Sequence, residues 1–343
     1  ARRSHGNFRE SKLELAFSTI FLYNKNVYRF AAIVDAGYYY PEGRTAMNAK
    51  RPLFVTVTVL LVAVIVAISA LTLAQEPRTS SVKLIARNGS TAEVDDLCEG
   101  KMSIPYYENV GLSNYGPDDF SSENDAVTYV GSGKSYVGIS VNEKKGDIDW
   151  QQVADSGNID FVMIRVGLRE KIKGRIRIDQ KFEDNIKGAT DAGLPVGVYF
   201  YSKAVEDAEA KEEATFVLEK IRDYTVTYPI GIFWEYDLKE DGSQDETSRT
   251  VQRNGDQVTG YIDTFCKIIS VAGFTPCYFA EKGMAYNRLD LSRLSGYDLW
   301  YGEYRPSPSF FYDFKIWQYT KEGRVPGIPE PVTVSISLKS YGN

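Results

Sequence analysis

Histidine is almost missing from this chain. The 343 residues contain one, His5, and it lies outside every segment that reads as a folded domain. That excludes Ser-His-Asp and Cys-His nucleophilic catalysis, and any histidine-ligated metal centre, in the folded part. Chemistry there must rest on carboxylates, tyrosine or lysine, and neither a metal nor another cofactor is expected. Cysteine is nearly as scarce: Cys98, Cys266 and Cys277 match no zinc-ligand spacing. Cys266 and Cys277 leave two alternatives open, a bridge between a helix end and the next strand or a pair of buried free thiols. Excess positive charge is lacking too. The net charge is −6, so no nucleic-acid partner is expected.

One long apolar run stands out. Residues 53–74 carry no charge and are rich in Val, Leu, Ile and Ala, enough to cross a bilayer as a helix. Lys50 and Arg51 precede the run and Glu76 follows it. The segment up to Arg51 has a net charge of +5, which leaves −11 beyond it. The charge asymmetry predicts a cytoplasmic segment 1–52, a single-pass signal-anchor helix at 53–74, and everything after it outside the cell. A cleavable signal peptide would have a shorter apolar core, and Thr72-Leu73-Ala74 is a poor cleavage site. Met47-Asn48-Ala49-Lys50-Arg51-Pro52 reads as a natural start. Residues 1–46 are therefore expected to be either a loose tail or an over-extended reading frame. Residues 75–103, with Thr79-Ser80-Ser81 and Asn88-Gly89-Ser90, read as a polar extracellular stalk. The main domain is expected at 104–343, entered through Ile104-Pro105-Tyr106-Tyr107 and Tyr115-Gly116-Pro117-Asp118.

Within that domain the pattern is α/β. Strands are predicted at 136–141, 159–166, 194–201, 229–236, 274–279, 297–301, 314–319 and 332–338. Helices are predicted from 148 (Asp149 as cap), over 182–192 (closed by Gly193), 205–221, and 258–271 (closed by Gly273). Eight strands alternating with helices predict an irregular (β/α) barrel of the TIM-barrel kind, with a parallel-type sheet and few helices in its last third. The 24 Tyr, 17 Phe and 4 Trp suit a cleft that stacks on sugar faces, and equally a large core.

The central stretch is Tyr228-Pro229-Ile230-Gly231-Ile232-Phe233-Trp234-Glu235-Tyr236-Asp237. It reads as a buried strand with carboxylates at its C-terminal end, where barrel chemistry sits. Other landmarks stand in order around it. They are Gly138-Ile139-Ser140-Val141-Asn142, Gly146-Asp147-Ile148-Asp149-Trp150, Phe161 through Gly167, Gly197 through Ser202, Leu299-Trp300-Tyr301, and Trp317-Gln318-Tyr319-Thr320 with Gly323 through Ile328. Together they resemble the family 25 glycoside hydrolases, muramidases (lysozymes) that cut bacterial cell-wall glycan. The resemblance covers about 104–343 and implies a bacterial, outward-facing barrel.

Departures from the family pattern carry as much information. Where the family has aspartates on its first, acidic and last strands, this chain has Ser140, Phe233 and Thr333. Glu235 keeps the family glutamate's place. Glycoside hydrolysis needs a proton donor and a second carboxylate or an equivalent stabiliser. Glu235 can serve as the acid, but without neighbouring carboxylates and with water access it is expected to be ionised near neutral pH. Asp237, two residues on, is an alternative partner on the same strand face. The resemblance implies peptidoglycan or a muropeptide as ligand, contacted by Tyr199, Tyr201, Trp234, Trp300, Tyr301 and Trp317. Phe233 is expected to form a new apolar floor or simply to pack. Arg165 is expected in a core ion pair, and Glu303 in a solvated loop or as a new acid at the mouth. The charge run Glu206 to Glu219 is expected to be a solvated helix face. Three functions follow: recognition of cell-wall glycan or of an envelope protein with hydrolysis lost; a weak N-acetylmuramidase using Glu235 with Asp237; and a rigid spacer in an envelope complex.

Overall fold

The computed structural model of the chain describes residues 80–123 and 126–342. The apolar run 53–74 and everything before it, with the expectations placed on them, lie outside the described residues. Among the described residues no helix is long and apolar enough to cross a membrane.

The segment read as a polar stalk is folded from residue 82 onward. Strands β1 (Val82–Asn88), β2 (Thr91–Asp96) and β3 (Gly100–Pro105) form an antiparallel meander. Ala92 and Val94 are fully buried between exposed Thr91, Glu93 and Asp95, the period-two pattern of a half-buried strand. A mostly polar composition hid that alternation. The meander docks on the main domain through Asp96, which accepts hydrogen bonds from Lys282 Nζ (3.0 Å) and Ser309 Oγ, and through Pro105, whose carbonyl accepts from Tyr312 Oη at 2.6 Å. A short hairpin follows, β4 (Phe120–Glu123) and β5 (Ala126–Tyr129).

The remaining elements run β6 (Tyr136–Val141), α1 (Trp150–Asp155), β7 (Phe161–Arg169), β8 (Ile176–Ile178), α2 (Phe182–Asp191), β9 (Val196–Ser202) and α3 (Asp207–Ile221). Then come β10 (Ile230–Trp234), α4 (Gly255–Val271), β11 (Pro276–Glu281), α5 (Lys282–Asn287), α6 (Leu291–Leu294), β12 (Asp298–Gly302), β13 (Ile316–Gly323) and β14 (Val332–Ser337). Eight strands close in the order β6-β14-β13-β12-β11-β10-β9-β7, with β7 pairing back to β6 and β8 appended as a hairpin. Asp149 caps α1 by accepting from the Gln152 amide at 3.0 Å. Gly193 and Gly273 take φ of +79° and +88° just past α2 and α4, the left-handed turn that ends a helix.

Among the eight strands that close the barrel, a single one departs from the parallel arrangement. β14 runs antiparallel to both β13 and β6. Only residues 324–331 connect β13 to β14, fewer than the dozen or so that a parallel crossover needs. The short link forces a hairpin, and the barrel closes there without a helix.

Alternation along each strand builds two cores. Outward residues such as Val198, Phe200, Ile232, Trp234, Tyr301 and Trp317 pack under the helices and loops. Inward residues Phe161, Met163, Tyr199, Phe233, Cys277, Phe279, Trp300 and Ile316 fill the barrel. Cys266 and Cys277 are buried free thiols.

Candidate active site

The parallel strands β9, β10 and β11 set the geometry of one end of the barrel. Phe233 on β10 is in register with Tyr201 on β9 and with Phe279 on β11. All three point inward. Two residues further on, strand alternation returns the chain to the same face. Those positions hold Glu235 after β10 and Glu281 at the end of β11. The two carboxylates therefore stand one pleat above Phe233 and Phe279, at the C-terminal end of the parallel strands.

Glu235 is half-buried. Tyr201 Oη donates to its Oε2 at 2.9 Å. Burial pushes its carboxyl above the ordinary glutamate range, Tyr201 draws it back, and the nearby charge of Glu281 pushes it up again. Desolvation thus raises this carboxyl without the missing aspartates, an effect the sequence pattern did not show. Glu281 is also half-buried. Its Oε1 accepts from Tyr304 Oη at 3.0 Å and lies 3.5 Å from Lys321 Nζ. Tyr304 Oη in turn accepts from buried Gln318 Nε2 at 2.8 Å.

Asp237 is engaged elsewhere. The strand ends at Trp234, and Asp237 pairs with Lys203 Nζ at 3.1 Å while accepting from Ser248 Oγ at 2.5 Å. The Lys203 side chain is 2% exposed, and its Nζ also donates to the Glu235 carbonyl at 2.6 Å. Burial draws the Lys203 pKa down against the pull of Asp237. Asp237 is the counter-ion of a buried lysine that pins the backbone of Glu235, so the two acids are not a pair facing one substrate atom.

Three neutral residues occupy the remaining positions of interest. Ser140 on β6 pairs with Thr333 on β14, and the Ser140 hydroxyl is buried with no protein hydrogen-bond partner. Phe233 is the expected apolar floor. It stacks flat on Phe279 (centroids 4.3 Å apart, planes 5°), meets Trp300 edge-on at 4.8 Å and Tyr199 at 4.8 Å. Trp300 Nε1, also inside the barrel, has no protein partner either.

The six aromatics expected at the ligand separate into two groups. Tyr199, Tyr201 and Trp300 face the interior. Trp234, Tyr301 and Trp317 are fully buried on the outer side of the wall. Trp234 Nε1 donates to the Ala204 carbonyl at 2.8 Å, and Trp317 Nε1 to the Glu303 carbonyl at 2.9 Å. The second group leaves no ring face for a sugar, because neighbouring strand positions point to opposite faces.

Arg165 sits in the expected core ion pair, 2.7 Å from Asp179 and 3.2 Å from Glu143. Glu303 is neither solvated nor open to a ligand. It is buried, accepts from the Ser309 amide at 2.6 Å, and pairs with Lys282 at 3.0 Å. The charge run on α3 is not wholly solvated: Glu213 is completely buried against Arg169 at 2.7 Å, and burial pushes its carboxyl up to about 7. A cavity of about 360 Å³ lined by Asn114, Ser132, Lys134 and Asp313 lies where β13 begins and β14 ends, away from Glu235.

Sequence reasoning missed Glu281, Lys203 and Tyr304. Glu281 had a readable signal. Phe233-Trp234-Glu235 and Phe279-Ala280-Glu281 are the same Phe-x-Glu pattern at the ends of consecutive strands.

Comparison with known proteins agrees with the barrel fold. The profile of "Glycosyl hydrolases family 25" matches residues 139–328. The chain is 23% identical over 192 residues to the autolytic lysozyme of Clostridium acetobutylicum, covering 56% of this chain and 52% of that protein. The modular autolysin LytC of Streptococcus pneumoniae superposes with a TM-score of 0.52 at 20% identity, over 74% of this chain and 57% of LytC. Its complex with a synthetic peptidoglycan ligand gives 0.53 at 21%, with the same coverage. The chain thus spans little more than half the length of these relatives.

Proposed function

The chain belongs to glycosyl hydrolases family 25, and from that premise we propose that its barrel mouth binds the glycan of bacterial peptidoglycan, with hydrolysis reduced to slow turnover. The observation that carries this reading is the state of the mouth. Glu235 is half-buried, hydrogen-bonded by Tyr201 and biased toward its protonated form, which suits a donor to a glycosidic oxygen. Ser140, Phe233 and Thr333 supply no charge to meet an oxocarbenium-like centre. Each such loss costs about 10²-fold or more. The peptidoglycan ligand in the LytC complex supports the choice of glycan. In this reading Tyr199, Tyr201 and Trp300 shape the site from within.

The reading extends to location. The uncharged run 53–74 behind Lys50 and Arg51 supports a single-pass anchor in a bacterial membrane with the barrel outside. Calorimetric titration of the full chain with a muropeptide disaccharide, run beside a zymogram on purified peptidoglycan, tests the function. Binding with faint clearing is the expected result. No binding at millimolar ligand defeats the glycan reading and favours a protein partner or a spacer role. Rapid clearing defeats the claim of slow turnover.

A further inference from the structure

Resting on the reading that the mouth takes a peptidoglycan glycan, we propose that Glu281 is the second carboxylate of the site, acting with Glu235 in place of the aspartates absent at Ser140, Phe233 and Thr333. The first support is register. β10 and β11 are adjacent parallel strands, with Phe233 opposite Phe279. Their rings stack at 4.3 Å, so the strand ends have not splayed apart at that level. Adjacent strands lie about 4.8 Å apart, close to the roughly 5–5.5 Å between carboxyl groups in retaining glycosidases. The replacement of an acid by Phe233 thus sits in register with Phe279, one pleat below the acid gained from the next strand.

The second support is how the pair is held. Glu235 is fixed by Tyr201 at 2.9 Å and by Lys203 on its carbonyl at 2.6 Å. Glu281 is fixed by Tyr304 at 3.0 Å, which Gln318 anchors at 2.8 Å. Gly302 borders Glu281: a Cβ there would press into the Phe279 ring and come within 3.2 Å of Glu281 Cγ. The third support is independent of the acids. Ser140 Oγ and Trp300 Nε1 are buried inside the same barrel without protein partners, and unpaired buried polar groups of this kind are uncommon unless something else binds them.

The chemistry balances as a simple hydrolysis. Glu235 gives its proton to the glycosidic oxygen, and the C1–O bond breaks with its electron pair going to that oxygen. The carboxylate of Glu281 faces the positive charge that develops at C1. Water then bonds to C1 and returns a proton to Glu235. Glu281 also acts on Glu235 itself, since a neighbouring negative charge holds the donor's proton on.

The test measures reducing ends released from purified peptidoglycan over long incubations, beside calorimetry with the muropeptide disaccharide, for the full chain and its variants. Glu281→Gln is expected to lower kcat about 100-fold while KM stays within about threefold. It should also move the alkaline limb of the pH–rate profile to lower pH, because Glu235 then loses its proton sooner. Glu281→Asp should restore part of the rate. A Glu281→Gln variant with unchanged kcat and pH profile overturns the proposal, and so does a wild-type chain that binds the disaccharide but releases no reducing ends. Absence of binding is a different failure: it removes the glycan reading, and the proposal with it.

Discussion

The two halves of the barrel mouth have opposite characters. On the β9–β10–β11 side stand Tyr201, Glu235 and Glu281, with both carboxylates hydrogen-bonded by tyrosines. On the β6–β14 side stand Ser140 and Thr333, paired across the strands and uncharged. Carboxylates do exist near the neutral half, but they are taken. Glu143 is bound by Arg177 at 2.6 Å and 2.9 Å, and Asp179 by Arg165 at 2.7 Å. Charge at a barrel mouth is thus a matter of commitment as well as count. An acid already paired with arginine cannot also meet a developing cation, because separating it from its partner costs several kcal/mol. The acidic half is held chiefly by neutral tyrosine hydroxyls, with a single long contact of 3.5 Å from the exposed Lys321 to Glu281.

The strongest way to break this contrast is to return an acid to the place beneath it. Phe233→Asp removes a buried ring that touches Phe279, Trp300 and Tyr199. Emptying a Phe site costs about 3–5 kcal/mol, and a carboxylate left there without a partner adds several more. We expect a large loss of stability in thermal or denaturant unfolding, and no gain in glycan release. A stable Phe233→Asp variant with raised activity would mean that the aromatic floor has little structural weight.

Next in size is the removal of the proton donor. Glu235→Gln keeps the shape and the Tyr201 contact but carries no transferable proton. General-acid catalysis is typically worth about 10²–10⁴-fold, so reducing-end release should fall by that factor while disaccharide affinity changes by only a few fold. A variant that retains wild-type turnover would place the chemistry outside this half of the mouth.

The contrast also marks what a reader of the sequence could and could not see. Every barrel strand was legible from its apolar run, and Gly193 and Gly273 marked two helix ends because only a left-handed turn suits them. The neutral positions Ser140, Phe233 and Thr333 were legible because they break a known pattern. What stayed hidden depends on three-dimensional neighbours. Trp234 and Phe233 are adjacent in sequence yet belong to different cores, so no composition argument can say which one meets a ligand. The burial that raises the Glu235 carboxyl cannot be read from a string of residues. Asp237 looked like a partner until the strand's end at Trp234 turned it toward Lys203. The meander of β1 to β3 was missed for the opposite reason, since its alternation was on the page beneath a polar composition.

The smallest expected effect tests the neutral half. Glu143 accepts from both terminal nitrogens of Arg177 and from the Gln180 amide at 3.0 Å, and it lies 3.2 Å from Arg165. The Arg177 guanidinium, with the Gln180 amide and Arg165, draws its carboxyl down to about 2 against the opposing effect of burial. A carboxyl with a folded pKa below its unfolded value of 4.5 binds fewer protons in the folded state. Its contribution to stability is therefore complete above about pH 4.5 and fades as the pH falls toward about 2. Glu143→Gln should cost about 1–3 kcal/mol near neutral pH, the usual range for hydrogen bonds to charged groups. The difference from wild type should shrink across that acid window, as read by urea unfolding from pH 7 down to pH 2. Turnover should be unaffected apart from any loss of folded protein, because the acid is spent on the two arginines. A Glu143→Gln chain that stays fully folded but loses turnover would show that this half of the mouth does supply a working carboxylate, and the contrast between the halves would fail.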